Sequence, residues 1–211
     1  MAGYVITVAQ QKGGSGKTTL AANLAVSLLG RGLSVALIDT DPQGSLGRWF
    51  IERMERHGED DALEFSTSSA WGASYESDKL KKRFDVVIID TPPKIDSDLR
   101  PALRAADLVV VPVASSQVDL WATEGVLDLA RREKAPVLVV MNRARPNTRL
   151  GAEVAQNAAD LGAQVADTQI GNRVAYAETL GQGISVCERS DARPAREELD
   201  RLTDEVLRQL G

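Results

Sequence analysis

The chain reads as an α/β fold: a mostly parallel, twisted sheet with helices on both faces. Three observations predict it. Short apolar runs alternate with longer amphipathic ones, the pattern of repeated βαβ units. The short runs are dominated by Val, Ile and Leu, as strands covered on both faces require. The polar residues with chemical potential cluster just after those runs, where a doubly wound sheet opens its ligand crevice.

In order, the strands expected are Tyr4–Ala9, Ser34–Ile38, Asp85–Ile89, Leu108–Pro112 and Pro136–Met141, with Glu64–Thr67 and Ile184–Cys187 as weaker strand patterns. Helices are expected over Lys17–Leu29, Ser45–Arg56, Ser97–Ala105, Val118–Arg132, Leu150–Leu161 and Pro194–Gln209. Gly30 and Gly32 supply a stop after the first helix. Residues Gly58–Ser77 are polar and poorly periodic, and no element is placed there beyond the short run at Glu64. No repeat, linker or low-complexity segment interrupts the 211 residues, which are expected to form one domain.

The segment Lys12–Thr19, KGGSGKTT, follows the first strand and precedes the first helix. Gly13, Gly14 and Gly16 let the backbone wrap closely and aim its N–H groups inward around Ser15, a nest for anions backed by the helix N-terminus. Lys17 is placed to reach β- and γ-phosphates, Thr18 to offer its hydroxyl to Mg²⁺, and Thr19 to extend the cradle. The general phosphate-loop template wants glycine where Gln11 stands. A lysine, Lys12, follows instead. From the residues alone Lys12 is either a solvated lysine at the loop mouth or a cation that reaches a phosphate across a subunit interface, as a trans-acting arginine finger does.

Other strand ends carry matching chemistry. Asp39-Thr40-Asp41-Pro42-Gln43 follows the second strand, and Asp90-Thr91-Pro92-Pro93 follows the strand VVIID. Asp90 can hold Mg²⁺ directly or through water. Of Asp39 and Asp41, one could orient the attacking water and the other the metal's hydration shell. The plain alternative is that these aspartates cap helices and turns. Asn142, after the strand ending at Met141, could bond an adenine edge.

Charge and composition narrow the field further. The net charge of −5 does not advertise nucleic-acid binding, though local basic patches remain open. The single Cys187 leaves no intrachain disulfide framework or multi-cysteine zinc site, and it supplies neither arrangement of an iron–sulfur carrier. The single histidine, His57, lies in a polar stretch and reads as surface. No run is long and apolar enough to span a membrane, and the N-terminus lacks signal-peptide architecture, so a cytoplasmic location is expected.

Together, KGGSGKTT at Lys12–Thr19, LIDTDPQGS at Leu37–Ser45 and VVIIDTPP at Val86–Pro93 resemble the ParA/MinD family of deviant Walker ATPases, a branch of the P-loop NTPases. The likeness continues in LVVVPVASSQVDLWA at Leu108–Ala122 and RVAYAETLGQGISVCE at Arg173–Glu188, so it covers nearly the whole chain. The resemblance implies ATP with Mg²⁺, an ATP-dependent sandwich homodimer, and slow hydrolysis stimulated by a partner. It implies that Lys12 contacts nucleotide in the partner subunit, Lys17 binds phosphate, Thr18 and Asp90 serve the metal, and Asp41 helps activate water.

The DPQGS segment is more similar to ParA-type partition proteins than to MinD. With the first strand expected from Tyr4, no upstream DNA-reading domain is expected. The expected roles are non-specific binding to nucleoid DNA and movement of cargo, a plasmid reached through a ParB-like partner or a protein assembly such as a chemoreceptor cluster or carboxysome. Candidate DNA contacts are Arg173, Arg189, Arg193 and Arg196, with Arg143, Arg145 and Arg149 behind them; the bland reading of each is an ordinary solvated arginine. The alternative is a MinD-like membrane-surface regulator. It needs a basic amphipathic C-terminal helix. Here Leu199, Leu202, Val206 and Leu210 do form a stripe, but Glu197, Glu198, Asp200, Asp204 and Glu205 outnumber the arginines. A helix packed on its own domain is the simpler expectation.

Overall fold

The computed structural model describes residues 3–93, 99–114, 117–144, 149–160 and 162–211. Its centre is a parallel sheet of seven strands in the order β3-β2-β4-β1-β5-β6-β7. The strands are β1 (Tyr4–Val8), β2 (Val35–Asp39), β3 (Leu63–Thr67), β4 (Val86–Asp90), β5 (Leu108–Ala114), β6 (Val137–Asn142) and β7 (Gln164–Val165). The helices are α1 (Lys17–Leu29), α2 (Ser45–His57), α3 (Ala73–Leu80), α4 (Arg100–Ala105), α5 (Gln117–Glu133), α6 (Arg149–Asp160), α7 (Val174–Leu180) and α8 (Arg193–Leu210).

The apolar strands feed two layers, because alternate residues face opposite sides of the sheet. Ile6, Val8, Leu37, Ile88, Val110 and Val140 pack with residues of α1, α2 and α8. On the other face, Val109, Val111, Val139 and Met141 meet α5, while Val5, Ile38, Val87 and Ile89 meet α3 and α4. Helix α1 is buried nearly all round, consistent with its lack of a polar stripe.

Strand β1 lies between β4 and β5. Its crossover through α1 leads toward β2, whereas the chain after β5 moves toward the opposite edge. The loop that follows β1 therefore sits at the crevice of the sheet. Strand β5 outruns β1, whose pairing with it ends at Val110. Val110 faces β1 and Val109 faces β6. Pro112 thus turns its missing N–H toward the β1 side, beyond the end of that strand, and costs the ladder nothing there.

Several expectations hold with small changes of boundary. The run at Glu64 is β3, an edge strand. The unplaced residues 58–77 also contain a 3₁₀ turn at Ala70–Gly72 and the start of α3. The helix expected over Ser97–Ala105 is α4 from Arg100; its expected start at Ser97 and Asp98 lies outside the described residues, as do Arg145 and Leu161. The strand expected at Ile184–Cys187 is not one. Ser185 caps a 3₁₀ turn at Val186–Glu188, with Glu188 closing the capping box. Asn23 of α1 accepts from the Ser185 hydroxyl and the Val186 N–H, so α1 takes the backbone that a ladder would need. β7 and α7 had no expectation; one is two residues long and the other seven, too short for periodicity to declare.

Helix α8 lies against α1. Leu199, Leu202 and Val206 are fully buried, and Thr203 donates to Ser27 of α1. Among the described residues no helix is long and apolar enough to cross a membrane. The α8 stripe is core. Leu202→Ala is expected to destabilise the protein by about 2–5 kcal/mol, read by denaturant unfolding. A change under about 0.5 kcal/mol would show that α8 is not part of the cooperative unit.

Candidate functional site

The loop after β1 is shaped by two left-handed glycines, Gly14 at φ 74° and Gly16 at φ 92°. At Gly16 the requirement is double: a Cβ there would stand 2.4 Å from Asn142 Nδ2. The first turn of α1 has no acidic residue and no capping side chain. Its N–H groups and dipole end face the loop, ready for an anion.

The loop is braced from both flanks. Asn142, at the end of β6, donates from Nδ2 to the Ser15 carbonyl at 2.7 Å. Gln10, at the end of β1, donates to the Pro112 carbonyl at 3.2 Å and to Thr123 of α5 at 3.0 Å, and accepts from the Gln11 N–H. Sequence reasoning missed Gln10, because a polar residue after a strand gives no signal of whom it meets. Lys12 is half-buried at the loop mouth.

Beneath the loop lies a buried charge cluster. Thr18 donates to Asp90 Oδ2 at 2.6 Å. Asp90 is 1% exposed, and its Oδ1 has no hydrogen-bond partner in the protein; the Ser15 hydroxyl is a second orphaned atom. Burial pushes the Asp90 carboxyl up to about 7, against the Thr18 bond, which lowers it; the charge of Asp39 raises it further and Lys17 lowers it. Lys17 is itself buried, and desolvation lowers its pKa while Asp90 and Asp41 pull it back up. An unpaired carboxylate oxygen beside a hydroxyl and a lysine fits Mg²⁺ held by one or two protein oxygens with phosphates supplying the rest. Among the described residues no group of three or more His, Cys, Asp or Glu could hold a metal by itself.

In-register pairing of β2 with β4 sets Asp39 beside Asp90. The Asp39 carboxylate is already engaged. It accepts from the Asp41 N–H at 2.9 Å and the Gly47 N–H at 3.2 Å, and so ties the loop to the first turn of α2. Burial raises its pKa, and those backbone bonds oppose the rise. Each Asp39 oxygen thus accepts one backbone N–H and keeps a second lone pair. Asp41 accepts from Gln43 N–H at 2.9 Å and lines a cavity of about 520 Å³ with Asp39, Thr67, Ser68, Ser69 and Pro92.

A second cleft, about 300 Å³, opens on the other flank of the loop. Gly16, Thr19 and Leu20 of the loop and α1 form one wall. Asn142, Arg143, Ile170, Gly171, Arg173 and Tyr176 are among those that form the rest. Its mix of apolar surface, amide and backbone suits a planar base carried by phosphates seated in the loop. Arg143 sits there at φ 52°, an unusual conformation for a non-glycine residue, with its N–H bonded to Asn142 Oδ1.

The profile of the CobQ/CobB/MinD/ParA nucleotide binding domain matches residues 6–186. The chain belongs to this family. It is 30% identical over 212 residues to the maintenance of carboxysome distribution protein A of Halothiobacillus neapolitanus, covering 97% of this chain and 96% of that one. It is 32% identical over 240 residues to the chromosome-partitioning ATPase Soj of Thermus thermophilus, covering 96% and 94%. The ATP complex of a Cyanothece McdA variant shares the fold, with a TM-score of 0.78 at 20% identity over 98% of this chain and 96% of that one. Nucleotide binding and ATPase activity accord with membership of the family.

Three of the candidate DNA arginines are ion-paired within the chain. Arg173 lines the cleft beside Gly16 and pairs with Glu198, whose bonds raise the guanidinium pKa. Arg189 pairs with Asp191 and Glu178, and Arg193 with Glu197. Arg196 is half-buried, and Arg149 starts α6.

The buried Asp90 generates a pH prediction. Its folded pKa of about 7 lies above the ordinary carboxylate value near 4, so the folded state binds the proton more tightly. Metal-free, nucleotide-free protein should therefore lose stability as pH rises through that window. Asp90→Asn is expected to raise the melting temperature more at pH 8 than at pH 5, in the presence of chelator, while abolishing the gain in nucleotide affinity from Mg²⁺. An equal shift at both pH values would contradict the assignment.

Proposed function

We propose that this chain is a ParA-type ATPase, one domain over residues 1–211, that forms an ATP-dependent sandwich dimer and positions or segregates cargo on nucleoid DNA. The observation that carries the reading is the constellation of Lys17, Thr18 and the half-satisfied Asp90 beneath a glycine loop. ATP places its phosphates in the loop around Gly13, Gly14, Ser15 and Gly16, and its adenine in the cleft beside Asn142. Thr18 and Asp90 would hold Mg²⁺, which would supply neutralising charge to the phosphates. Lys17 stabilises the charge that builds as the γ-phosphoryl leaves. Asp41 orients the water that attacks it, giving ADP and inorganic phosphate.

Dimerisation is supported by where the exposed apolar side chains lie. Trp71, Trp121 and Val174 are each more than 60% exposed. All three follow carboxyl ends of strands, on the edge of the sheet that carries the phosphate loop. A second copy of the chain facing that edge would cover them and bring its Lys12 to the nucleotide. The carboxysome and chromosome-partitioning relatives support a positioning role, with hydrolysis stimulated by a ParB-like or cargo-adaptor protein. A MinD-like membrane role finds no support in α8, whose apolar stripe is spent on α1.

DNA binding would draw on Arg189, Arg193 and Arg196, with Arg173 as a further contact. Exposed ion pairs such as Arg193–Glu197 are weak enough for phosphate to replace the carboxylate.

Three variants test the chemistry. Lys17→Ala should weaken ATP binding by about a hundredfold or more. Asp41→Ala should retain ATP, stop turnover and trap the dimer in size-exclusion chromatography. Lys12→Ala should impair dimerisation or turnover while leaving monomer nucleotide affinity intact; unchanged turnover would make it an ordinary surface lysine. ATP-loaded Asp41→Ala protein should bind arbitrary duplex DNA, with affinity falling steeply between low and physiological salt. Removing Arg193 and Arg196 together should reduce the salt slope by about two. Failure of the trapped protein to bind plain DNA at low salt would overturn the nucleoid reading.

A further inference from the structure

The wall of the base cleft is not held by the sheet alone. Residues 167–171 run from β7 past the end of β6, where Ile170 exchanges backbone bonds with Met141 and Ala144. The N–H groups of Asp167, Thr168 and Gly171 turn the other way, toward α8. Glu205 accepts from the Asp167 and Thr168 N–H groups, each at 2.8 Å, and from the Thr168 hydroxyl. Glu198 accepts from the Gly171 N–H at 3.2 Å and from Arg173 Nε at 3.1 Å, and also pairs with the Arg173 terminal nitrogen. The two glutamates stand seven residues apart, two turns along one helix face. Each is 8% exposed, although glutamate is seldom so buried without partners.

Two of these partners, Gly171 and Arg173, line the cleft opposite Gly16, together with the adjoining Ile170. Gly171 is pressed against the ion pair: a Cβ there would lie 3.2 Å from both Glu198 Oε1 and Arg173 Nε. Its own φ lies outside the left-handed region, so the need for glycine comes from that close approach alone.

We propose that Glu198 is a positioning residue for nucleotide binding: from α8 it clamps Gly171 and Arg173 so that they form the base-facing wall, with Glu205 fixing the entry to the same loop. The proposal rests on the reading of the 300 Å³ cleft as the base site. It gives the acidic face of α8 a task inside the protein. It also makes Arg173 a member of the cleft whose guanidinium is oriented by Glu198.

The test separates base from phosphate. Affinities of the full chain for Mg·ATP, Mg·GTP and Mg·tripolyphosphate are measured by calorimetry for wild type, Glu198→Gln and Gly171→Ala. Glu198→Gln keeps the shape and one acceptor but loses the charge. It is expected to weaken Mg·ATP by about tenfold and to narrow the preference for ATP over GTP, with Mg·tripolyphosphate unchanged. Gly171→Ala, which displaces the pair by sterics instead, should show the same split; it keeps the test intact if the glutamine variant folds poorly. Unchanged ATP affinity in both variants, or equal losses for ATP and tripolyphosphate, would overturn the clamp. Wild-type protein that binds ATP no better than tripolyphosphate would overturn the base-cleft reading itself.

Discussion

A carboxylate buried at the end of β4, with one oxygen held and the other left without a partner, governs how the rest of this protein is arranged. Taking such a group out of water is expensive, and one hydroxyl bond from Thr18 offsets only part of it. The sheet order puts β4 between β2 and β1, so Asp90 sits under the phosphate loop and beside Asp39. Lys17 lies close by and is depressed by the same desolvation. Lys17 and Asp90 each carry a desolvation cost that their protein partners offset only in part. The fold holds that imbalance where strand register sets Asp39 beside Asp90.

Much of this was legible beforehand, and the reason differs by residue. Lys17, Thr18 and Asp90 could be assigned because loop spacing and a strand end fix where their side chains go. Asp39 could not be resolved from Asp41, because both leave the same strand exit. The structure separates them through the backbone: Asp39 is turned onto the N–H groups of Asp41 and Gly47, leaving Asp41 nearer the mouth. The strand expected at Ile184–Cys187 failed for a tertiary reason. Its apolar alternation is real and Val186 is fully buried, but Asn23 and the Ser185 cap claim the backbone. Gln10, Glu198 and Glu205 were unreadable as site residues. Their meaning comes from partners that lie from 25 to 113 positions away in the chain.

The arginines illustrate a limit of composition. Basic residues near the C-terminus suggested a phosphate-binding patch, yet Arg173, Arg189 and Arg193 each face a carboxylate of their own chain. Their charge is partly spent before any ligand arrives. Arg173 and Arg193 also differ in kind. One lines the cleft beside Gly16 and is paired with a buried glutamate, and the other is a surface pair on an exposed helix turn. A patch that counts them equally overstates the first and understates the second.

The three tryptophans divide cleanly by place. Trp49 is buried in the core, bonded through its indole N–H to the Ile184 carbonyl, while Trp71 and Trp121 stand in solvent near the loop-bearing edge. Nature has thereby fitted the chain with its own optical labels. One indole emits from a dry interior and reports on the integrity of the fold. The other two emit from water and respond to whatever comes to cover that edge, so burial there and unfolding elsewhere carry opposite spectral signs.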